Sequence, residues 1–519
     1  MTAIPSDAPC SLRDLIAVVA DRGGVPAVSL PDATLTASDI GDLSRRGANV
    51  LADLGVETGH TVLTVCDNSV AQLAAWLGCI ELGAVFAPLN TLLLGRPLAQ
   101  IAAHSGARLL ICQGRYLERL NALREAMPNV TTVVPAGDCA DGLRRRFEQL
   151  LENASGSPRG DLAPNPAAPA RLMYTSGTTG DPKGVIWSRH AETLHGLAYG
   201  DELVRVEPGE NVYSCLPLFH ATCQGTLLGT LWRGGHITID ERFSPFGFWQ
   251  RVRDCEAVFF PYVGTLLATL DRRPARADDS DNAVRRVMGS AAPAQRWRNI
   301  EERFGLAIED VWGQTETASC WTRPQTQPVT PGSIGRPVDR FSARVVDADG
   351  GDVAAGSAGE LVIRPHQPHV MFEGYLGEPS PWDADGWYRT GDTVVSREDG
   401  DLVFSGRASE AIRRHGEMLS PTHIEAIAAD CPDVGSVAAI GVPATDGVED
   451  EILLCVTGSA ALEQVDAFLA ERLSRVLRPR YYRRCAELPL TPTTKVRRHE
   501  LRALGVSGAW DRTTTDEEA

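Results

Sequence analysis

The strongest constraint on the fold is a rhythm in the first third of the chain. Four short runs, Thr61–Cys66 (TVLTVC), Ala84–Pro88 (AVFAP), Arg108–Cys112 (RLLIC) and Thr131–Val134 (TTVV), are separated by longer segments; Asn68–Leu82, after the first, has helical periodicity and small residues. TVLTVC reads as a buried strand and the others repeat the pattern. Strands spaced by helices predict a parallel α/β sheet covered on both faces. A further strand at Arg171–Tyr174 runs into a Gly/Thr-rich turn, and a second α/β stretch extends to about Asp310.

A chain of 519 residues is too long for one ordinary core, so at least two domains are expected. Glu152–Ala170, rich in Pro, Ala, Gly and Ser, reads as a surface connection. Between Gly335 and Gly406 the pattern changes to short β runs with Gly and Asp turns, such as Arg344–Val346 and Glu360–Ile363. From Ala408 a small α+β unit follows: helices at Pro421–Ala429 and Ala460–Val476, strands at Ser436–Gly441 and Glu451–Thr457. The tail after Leu504 ends in TTTDEEA and reads as disordered. The expected class is α/β. A large N-terminal domain, residues 1–407, holds layered α/β subdomains plus a β-rich subdomain, and a small α+β C-terminal domain spans residues 408–519.

Composition excludes several classes. The net charge of −17 disfavours non-specific nucleic-acid binding and anionic membranes, while leaving room for a local anion site. The 12 cysteines contain no CxxC pair, and the closest two are Cys215 and Cys223, which argues against a zinc site and a disulfide framework. Met1–Pro9 lacks a basic segment followed by an apolar one, and Val70–Leu94 is interrupted by Gln72, Glu81 and glycines. Neither a secretory leader nor a membrane span is expected, and the expected location is the cytoplasm.

The segment with most chemistry is Tyr174–Gly184, YTSGTTGDPKG. Gly177 and Gly180 let the backbone approach an anion without a Cβ in the way. Thr175, Ser176, Thr178 and Thr179 offer hydroxyl donors, and Lys183 adds a positive charge. Together they suit a polyphosphate, although the Walker spacing is absent.

This loop resembles the signature of the adenylate-forming superfamily of acyl-CoA synthetases, non-ribosomal adenylation domains and luciferases. Further matches follow in order: LPLFH (Leu216–His220), GSAAP (Gly289–Pro293), WGQTET (Trp312–Thr317), WYRTGD (Trp387–Asp392), GRASEAIRRHGE (Gly406–Glu417) and PLTPTTKVRR (Pro489–Arg498). The chain is most similar to acid-CoA ligases of the crotonobetaine/carnitine type.

The resemblance implies ATP, Mg²⁺ and coenzyme A. A carboxylate would attack the α-phosphorus of ATP, expel pyrophosphate and form an acyl adenylate; a thiol would then displace AMP. Because two anions must meet, cations and donors have to be arranged in advance. By resemblance, Glu316 is the magnesium ligand. Trp312, where Tyr is more usual, covers adenine, with Gly313, Gln314 and Thr315 beside it; the backbone of Gly289, Ser290, Ala291 and Ala292 borders the base. Asp392 accepts from the ribose hydroxyls, and Arg407 reaches ribose or phosphate. Lys495 bridges the carboxylate and the α-phosphate, although Thr494 stands where many relatives have Gly. His220 is an aromatic gate at the acyl pocket, for which Phe260, Tyr262, Val263, Gly264 and Gly313 are further candidates; a buried, hydrogen-bonded histidine is the rival reading.

The C-terminal domain would swing between the two half-reactions. Ser409 occupies the hinge position, where Asp or Lys is common, and Met418 stands where close relatives often have Asn. A carrier protein as acceptor, or nitrite activated for an aryl amine, are alternative enzymatic outcomes. A silent nucleotide-binding protein is the alternative from another class. A homodimer is implied by the family alone.

Overall fold

The structure is a computed structural model that describes residues 9–91, 93, 95–137, 146–160, 165–176, 182–323, 329–407, 410, 412–414, 417–419, 421–444, 450–490 and 496–514. The chain divides into two compact units, Met1–Ser342 with Arg364–Trp387, and Ala343–Ile363 with Tyr388–Ala519.

The first unit contains two seven-stranded sheets. In one, Thr61–Val65 lies between Val85–Pro88 and Leu109–Gln113, all parallel, and Thr132–Ala136 continues the parallel ladder. These are the four sequence-predicted strands, displaced by one or two residues. Their side chains fill both faces: Val62, Leu63, Leu110 and Ile111 are all buried. The helix after the first strand is Val70–Leu82, capped by the Ser69 hydroxyl on the Gln72 amide at 3.3 Å and ended by Gly83 at φ 72°. Beyond Val85–Pro88 the sheet adds Pro169–Ser176, then Pro182–Ser188 antiparallel to it, then Phe372–Tyr375 antiparallel to Pro182–Ser188.

The other sheet runs in the order Ala307–Asp310, Arg286–Ser290, Ala257–Val263, Asn211–Ser214, His236–Ile239, Pro26–Ser29 and Thr34–Thr36; its last strand pairs antiparallel and the others parallel. Its core gathers Phe248, Phe260, Trp297, Phe304 and Ile308.

In the second unit Tyr388–Ser396 pairs antiparallel with both Ala358–Pro365 and Leu402–Arg407. A four-stranded sheet follows in the order Val434–Pro443, Asp450–Gly458, Tyr481–Arg484, Trp510–Asp511. The helices Pro421–Ala428 and Leu462–Ala470 contribute Ile424, Val465 and Leu469 to its core.

Two sequence expectations in this unit change. The helix expected over Ala460–Val476 stops at Ala470. Leu473, Val476 and Leu477 keep the apolar spacing, but reach the same core from turns, held by Arg478 paired with Asp466 at 2.8 Å. Of the tail expected to be disordered after Leu504, residues 505–514 are described and form turns, an edge strand, Trp510–Asp511, and a short helical turn, while 515–519 lie outside the described residues. Trp510 packs on Tyr482 at 5.3 Å between centroids, and Asp511 accepts from Arg480 at 3.0 Å. An aromatic anchor and an ion pair outweigh the polar composition of that tail.

The most constrained side chain is Arg171, in the strand that leads into the Gly/Thr-rich turn and 0% exposed. Its Nη2 donates to Glu192 Oε1 at 2.7 Å and its Nη1 to Gln224 Oε1. Trp76 Nε1 donates to the same Glu192 oxygen at 3.0 Å, and the guanidinium lies 4.7 Å from the Trp187 ring centroid. Breaking a buried pair from one side strands the other charge, at a cost of about 3–5 kcal/mol. Arg171→Met is expected to lose stability of that order in urea unfolding, and Arg171→Met combined with Glu192→Met to recover most of it. Equal stability of the single and double variants would contradict the pairing.

Candidate active site

The Gly/Thr-rich turn closes a β-hairpin. Thr175 pairs with Lys183 and Ser176 with Pro182, leaving 177–181 as the connection. Gly177, Thr178, Thr179 and Gly180 lie outside the described residues. Lys183, on the return strand, places its ammonium 5.2 Å from the centroid of the Tyr375 ring on the neighbouring strand. The Tyr375 hydroxyl donates to Glu316 Oε1 at 2.9 Å. The hairpin lysine lies over the face of a tyrosine whose hydroxyl holds the WGQTET carboxylate.

Backbone contacts fix that carboxylate. The Phe372 amide donates to the Glu316 carbonyl at 3.0 Å, and Trp187 Nε1 to the Thr315 carbonyl at 2.7 Å. Within the motif the Gln314 amide donates to Thr317 Oγ1 at 3.0 Å, and the Thr317 amide to the Gln314 carbonyl at 3.2 Å, a side-chain-closed turn. Gly313 is exposed, while Trp312 is buried and donates its amide to Thr322 Oγ1 at 3.0 Å.

GSAAP packs beside this turn. The Val311 amide donates to the Gly289 carbonyl at 2.8 Å, and Ser290 Oγ donates to the Val311 carbonyl at 2.7 Å. A Cβ on Gly289 would lie 2.0 Å from the Tyr262 carbonyl oxygen, so only glycine fits there. Ala291 is held at φ 65°, uncommon for a residue with a side chain.

The two segments are joined by Asp310, which the sequence reading missed. Its oxygens accept from the Ala292 amide at 3.1 Å and from the Tyr262 hydroxyl. Burial pushes the Asp310 carboxyl up to about 7, against the opposing effect of those donors. An isolated Asp at a strand end carries no signal of this in the sequence.

LPLFH is clamped at Leu216 and Leu218. Asn68 Nδ2 donates to the Leu216 carbonyl at 3.0 Å, and Asn68 Oδ1 accepts from the Leu218 amide at 2.7 Å. Gln224 Nε2 donates to the Leu218 carbonyl at 2.7 Å, and Gln224 is itself held by Arg171. His220 caps helix Ala221–Arg233 from an extended backbone, with its ring 4.8 Å from that of Phe219. Asn68 and Gln224 were not singled out from the sequence, because their partners lie far away along the chain or are backbone atoms. Of the further pocket candidates, Phe260 and Tyr262 are fully buried in the core, whereas Val263 is exposed.

In the second unit Asp392 and Arg407 are register partners on adjacent strands, and Arg407 Nε meets Asp392 Oδ1 at 3.1 Å. The Asp392 side chain is 4% exposed and that of Arg407 40%. Gly391 takes φ 70°, and its amide donates to Glu360 Oε1 at 3.1 Å. Lys495, Thr494 and Ser409 lie outside the described residues; Met418 sits on the short strand Glu417–Leu419.

Among the described residues, no group of three or more His, Cys, Asp or Glu side chains could hold a metal ion. A single carboxylate at Glu316 fits a different kind of site. Mg²⁺ commonly keeps waters and phosphate oxygens and takes one or two carboxylates from the protein, so the donor set suits a metal arriving with a nucleotide polyphosphate.

A β-hairpin in a mostly parallel sheet, with a lysine on its return strand and a carboxylate held nearby, has the donors and charge that a nucleotide-using enzyme needs. The chain belongs to the AMP-binding enzyme family, which matches residues 16–376. It is 34% identical over 481 residues to a sulfoacetate–CoA ligase of Cupriavidus necator, covering 90% of this chain and 91% of that protein. It is 29% identical to an indoleacetate–CoA ligase of Aromatoleum aromaticum, covering 93% and 95%. The anthranilate CoA ligase AuaEII, solved with anthranoyl-AMP, shares the fold at a TM-score of 0.85 and 23% identity, over 96% of this chain and 98% of that one. The described residues include no helix long and apolar enough to cross a membrane.

Asp310 provides a test of the brace between segments. Its folded-state pKa, about 7, is raised above the ordinary 3.8, so the folded protein holds a proton that the unfolded chain releases between these values. Its contribution is therefore fully present below about 3.8 and is lost as pH rises through about 7. Asp310→Asn, which keeps an acceptor for Tyr262, is expected to gain stability relative to the parent between pH 5 and pH 8 in urea unfolding. A parallel pH dependence of the two proteins would contradict a protonated Asp310.

Proposed function

We propose that the site residues divide the work of an AMP-forming acid-CoA ligase as follows. The enzyme activates a carboxylic acid with ATP, releases pyrophosphate, and passes the acyl group to coenzyme A. The observation that carries the assignment is the convergence of Lys183 and Glu316 on Tyr375, the ammonium over its ring and the carboxylate on its hydroxyl. A cation and a carboxylate fixed beside a glycine-containing donor loop suit a polyphosphate and its metal.

Thr175, Ser176, Gly177, Thr178, Thr179, Gly180 and Lys183 hold the phosphates. Gly289, Ser290, Ala291, Trp312, Gly313, Gln314 and Thr315 form the adenine side, and Glu316 holds Mg²⁺, which when bound offsets phosphate charge. Asp392 accepts from the ribose hydroxyls, with Arg407 beside it. Lys495 lies between carboxylate and α-phosphate, where negative charge grows as the acid oxygen bonds phosphorus and pyrophosphate leaves. His220, at the end of the clamped LPLFH segment, borders the acyl pocket. The C-terminal domain, residues 408–519, turns about Ser409 to exchange Lys495 for the thiol.

The acid is small. Sulfoacetate and indoleacetate, named for the two relatives, are both substituted acetates, and a planar aryl acid suits the same pocket. Coenzyme A is the acceptor; a carrier protein or nitrite with an aryl amine would be distinguished by product mass. The protein works in the cytoplasm and can pair as a homodimer.

The test is pyrophosphate release with sulfoacetate, indoleacetate, anthranilate and benzoate, with and without coenzyme A. At least one acid is expected to drive ATP to AMP and pyrophosphate, and to give an acyl-CoA by mass when the thiol is added. Lys495→Ala is expected to slow acyl-adenylate formation by about a hundredfold or more. An undiminished rate in that variant would remove Lys495 from the reaction.

A further inference from the structure

Between the nucleotide-side and acid-side segments stands a buried histidine that no motif includes. His195, on helix Arg189–Ala198, is 3% exposed. Its Nδ1 lies 3.0 Å from the carbonyl oxygen of Ala318, two residues beyond Glu316. Its Nε2 lies 3.2 Å from the carbonyl oxygen of Ala221, the residue after His220. One imidazole therefore touches the backbone next to both candidate site residues.

The surroundings are built to the dimensions of that ring. Trp187 and Trp321 meet it edge-on at 4.8 and 5.9 Å, and Tyr199 lies at 5.0 Å. Helix Ala221–Arg233 approaches so closely that a Cβ on Gly225 would fall 2.6 Å from His195 Nε2. Helix Arg189–Ala198 then continues into a π-helical turn, Tyr199–Val204, and π turns recur at functional sites. Ala318 itself is held at φ 47°.

We propose that His195 is a positioning residue that couples the segment carrying Glu316 to the segment carrying His220 through the carbonyls of Ala318 and Ala221. Burial, aided by the Arg171 guanidinium, brings the ring down to about 4, so it is neutral at physiological pH. A neutral imidazole has one N–H and one acceptor nitrogen. It can donate to only one of the two carbonyls, so its other nitrogen sets a lone pair against the second carbonyl oxygen, a repulsive contact that the packed rings and Gly225 hold in place. Moving either backbone segment therefore alters the fit of the other. The inference deepens the site assignment above and rests on it: Glu316 on the nucleotide side, His220 on the acid side.

Three variants separate the contacts. Asn places its amide nitrogen near the position of Nδ1, Gln near that of Nε2, and Phe keeps ring volume with neither. With ATP and the best acid of the panel, pyrophosphate release should give His195→Phe raised KM values for both substrates, each by about tenfold. His195→Asn should spare the KM for ATP and raise that for the acid, and His195→Gln should do the reverse. Leu110→Ala, in strand Leu109–Gln113 towards the opposite end of the sheet from Trp187, is the control for general destabilisation; at a matched Tm it should leave both KM values near the parent.

Folded His195→Phe with both KM values within about twofold of the parent would overturn the proposal. So would Asn and Gln variants that shift the two KM values together, which also covers the case in which the Phe variant does not fold. Glu316→Gln is assayed alongside: an unchanged magnesium dependence would unseat the assignment of the segments. An altered dependence, with parent-like His195 variants, would unseat the bridge alone.

Discussion

A guanidinium sealed away from water has to be satisfied by protein alone, and in this fold much of the first unit is arranged around Arg171. Glu192 answers its charge, Gln224 takes a further N–H, and two indole faces cover what remains. Such a cluster is a poor source of net stability, because desolvation consumes what attraction supplies. What it provides is register. A one-residue slip of strand Pro169–Ser176 would turn Arg171 to the opposite face of the sheet, away from both partners. The same strand ends in the turn that the catalytic proposal needs, so a register set by a buried charge also sets where that turn begins. Through Gln224 it reaches the Leu218 carbonyl and holds the segment that ends in His220.

How much of this was legible in the sequence followed from the range of the forces involved. The strands around Thr61, Val85 and Leu109 declare themselves because each is a local apolar run. Asn68–Leu82 declares itself as a helix by periodicity, and its start at Val70 follows from the local Ser69 cap. YTSGTTGDPKG was visible because its residue types crowd into a few positions, and WGQTET through its resemblance to a family segment. Asp310, Asn68, Gln224 and His195 were not, because each owes its role to atoms brought near by folding: Asp310 answers Ala292 and Tyr262, and Asn68 answers residues about 150 positions away. The overlong helix at Ala460–Val476 failed for a related reason. The apolar spacing continues, but packing against one core can be met from turns as well as from a helix.

The electrostatics are local in the same sense. A chain of net charge −17 repels anions at long range, yet its proposed substrates are a polyphosphate and a carboxylate. Screening limits that repulsion to about a Debye length, roughly 8 Å at physiological ionic strength, so the site needs only a few fixed donors inside that distance. Lys183 beside Tyr375 is one such donor. Among the described residues Glu316 is not part of a cage of metal-binding side chains, which avoids adding further negative charge at the proposed phosphate site.

Asp392 shows the complementary solution, a buried anion kept ready for neutral donors. Its carboxylate is almost fully covered, while the Arg407 side chain that meets it is substantially exposed. A half-exposed ion pair contributes only about 0–1 kcal/mol, so drawing Arg407 aside costs little. The carboxylate itself does not move with it. Asp392 follows Gly391 in its left-handed turn, and its own amide is tied to Thr390 Oγ1 at 3.1 Å, which in turn donates to the Leu361 carbonyl. A rigid acceptor beneath a loosely held cation can therefore exchange one donor for another without rearranging the sheet. This is what binding a diol in the proposed ribose role would require.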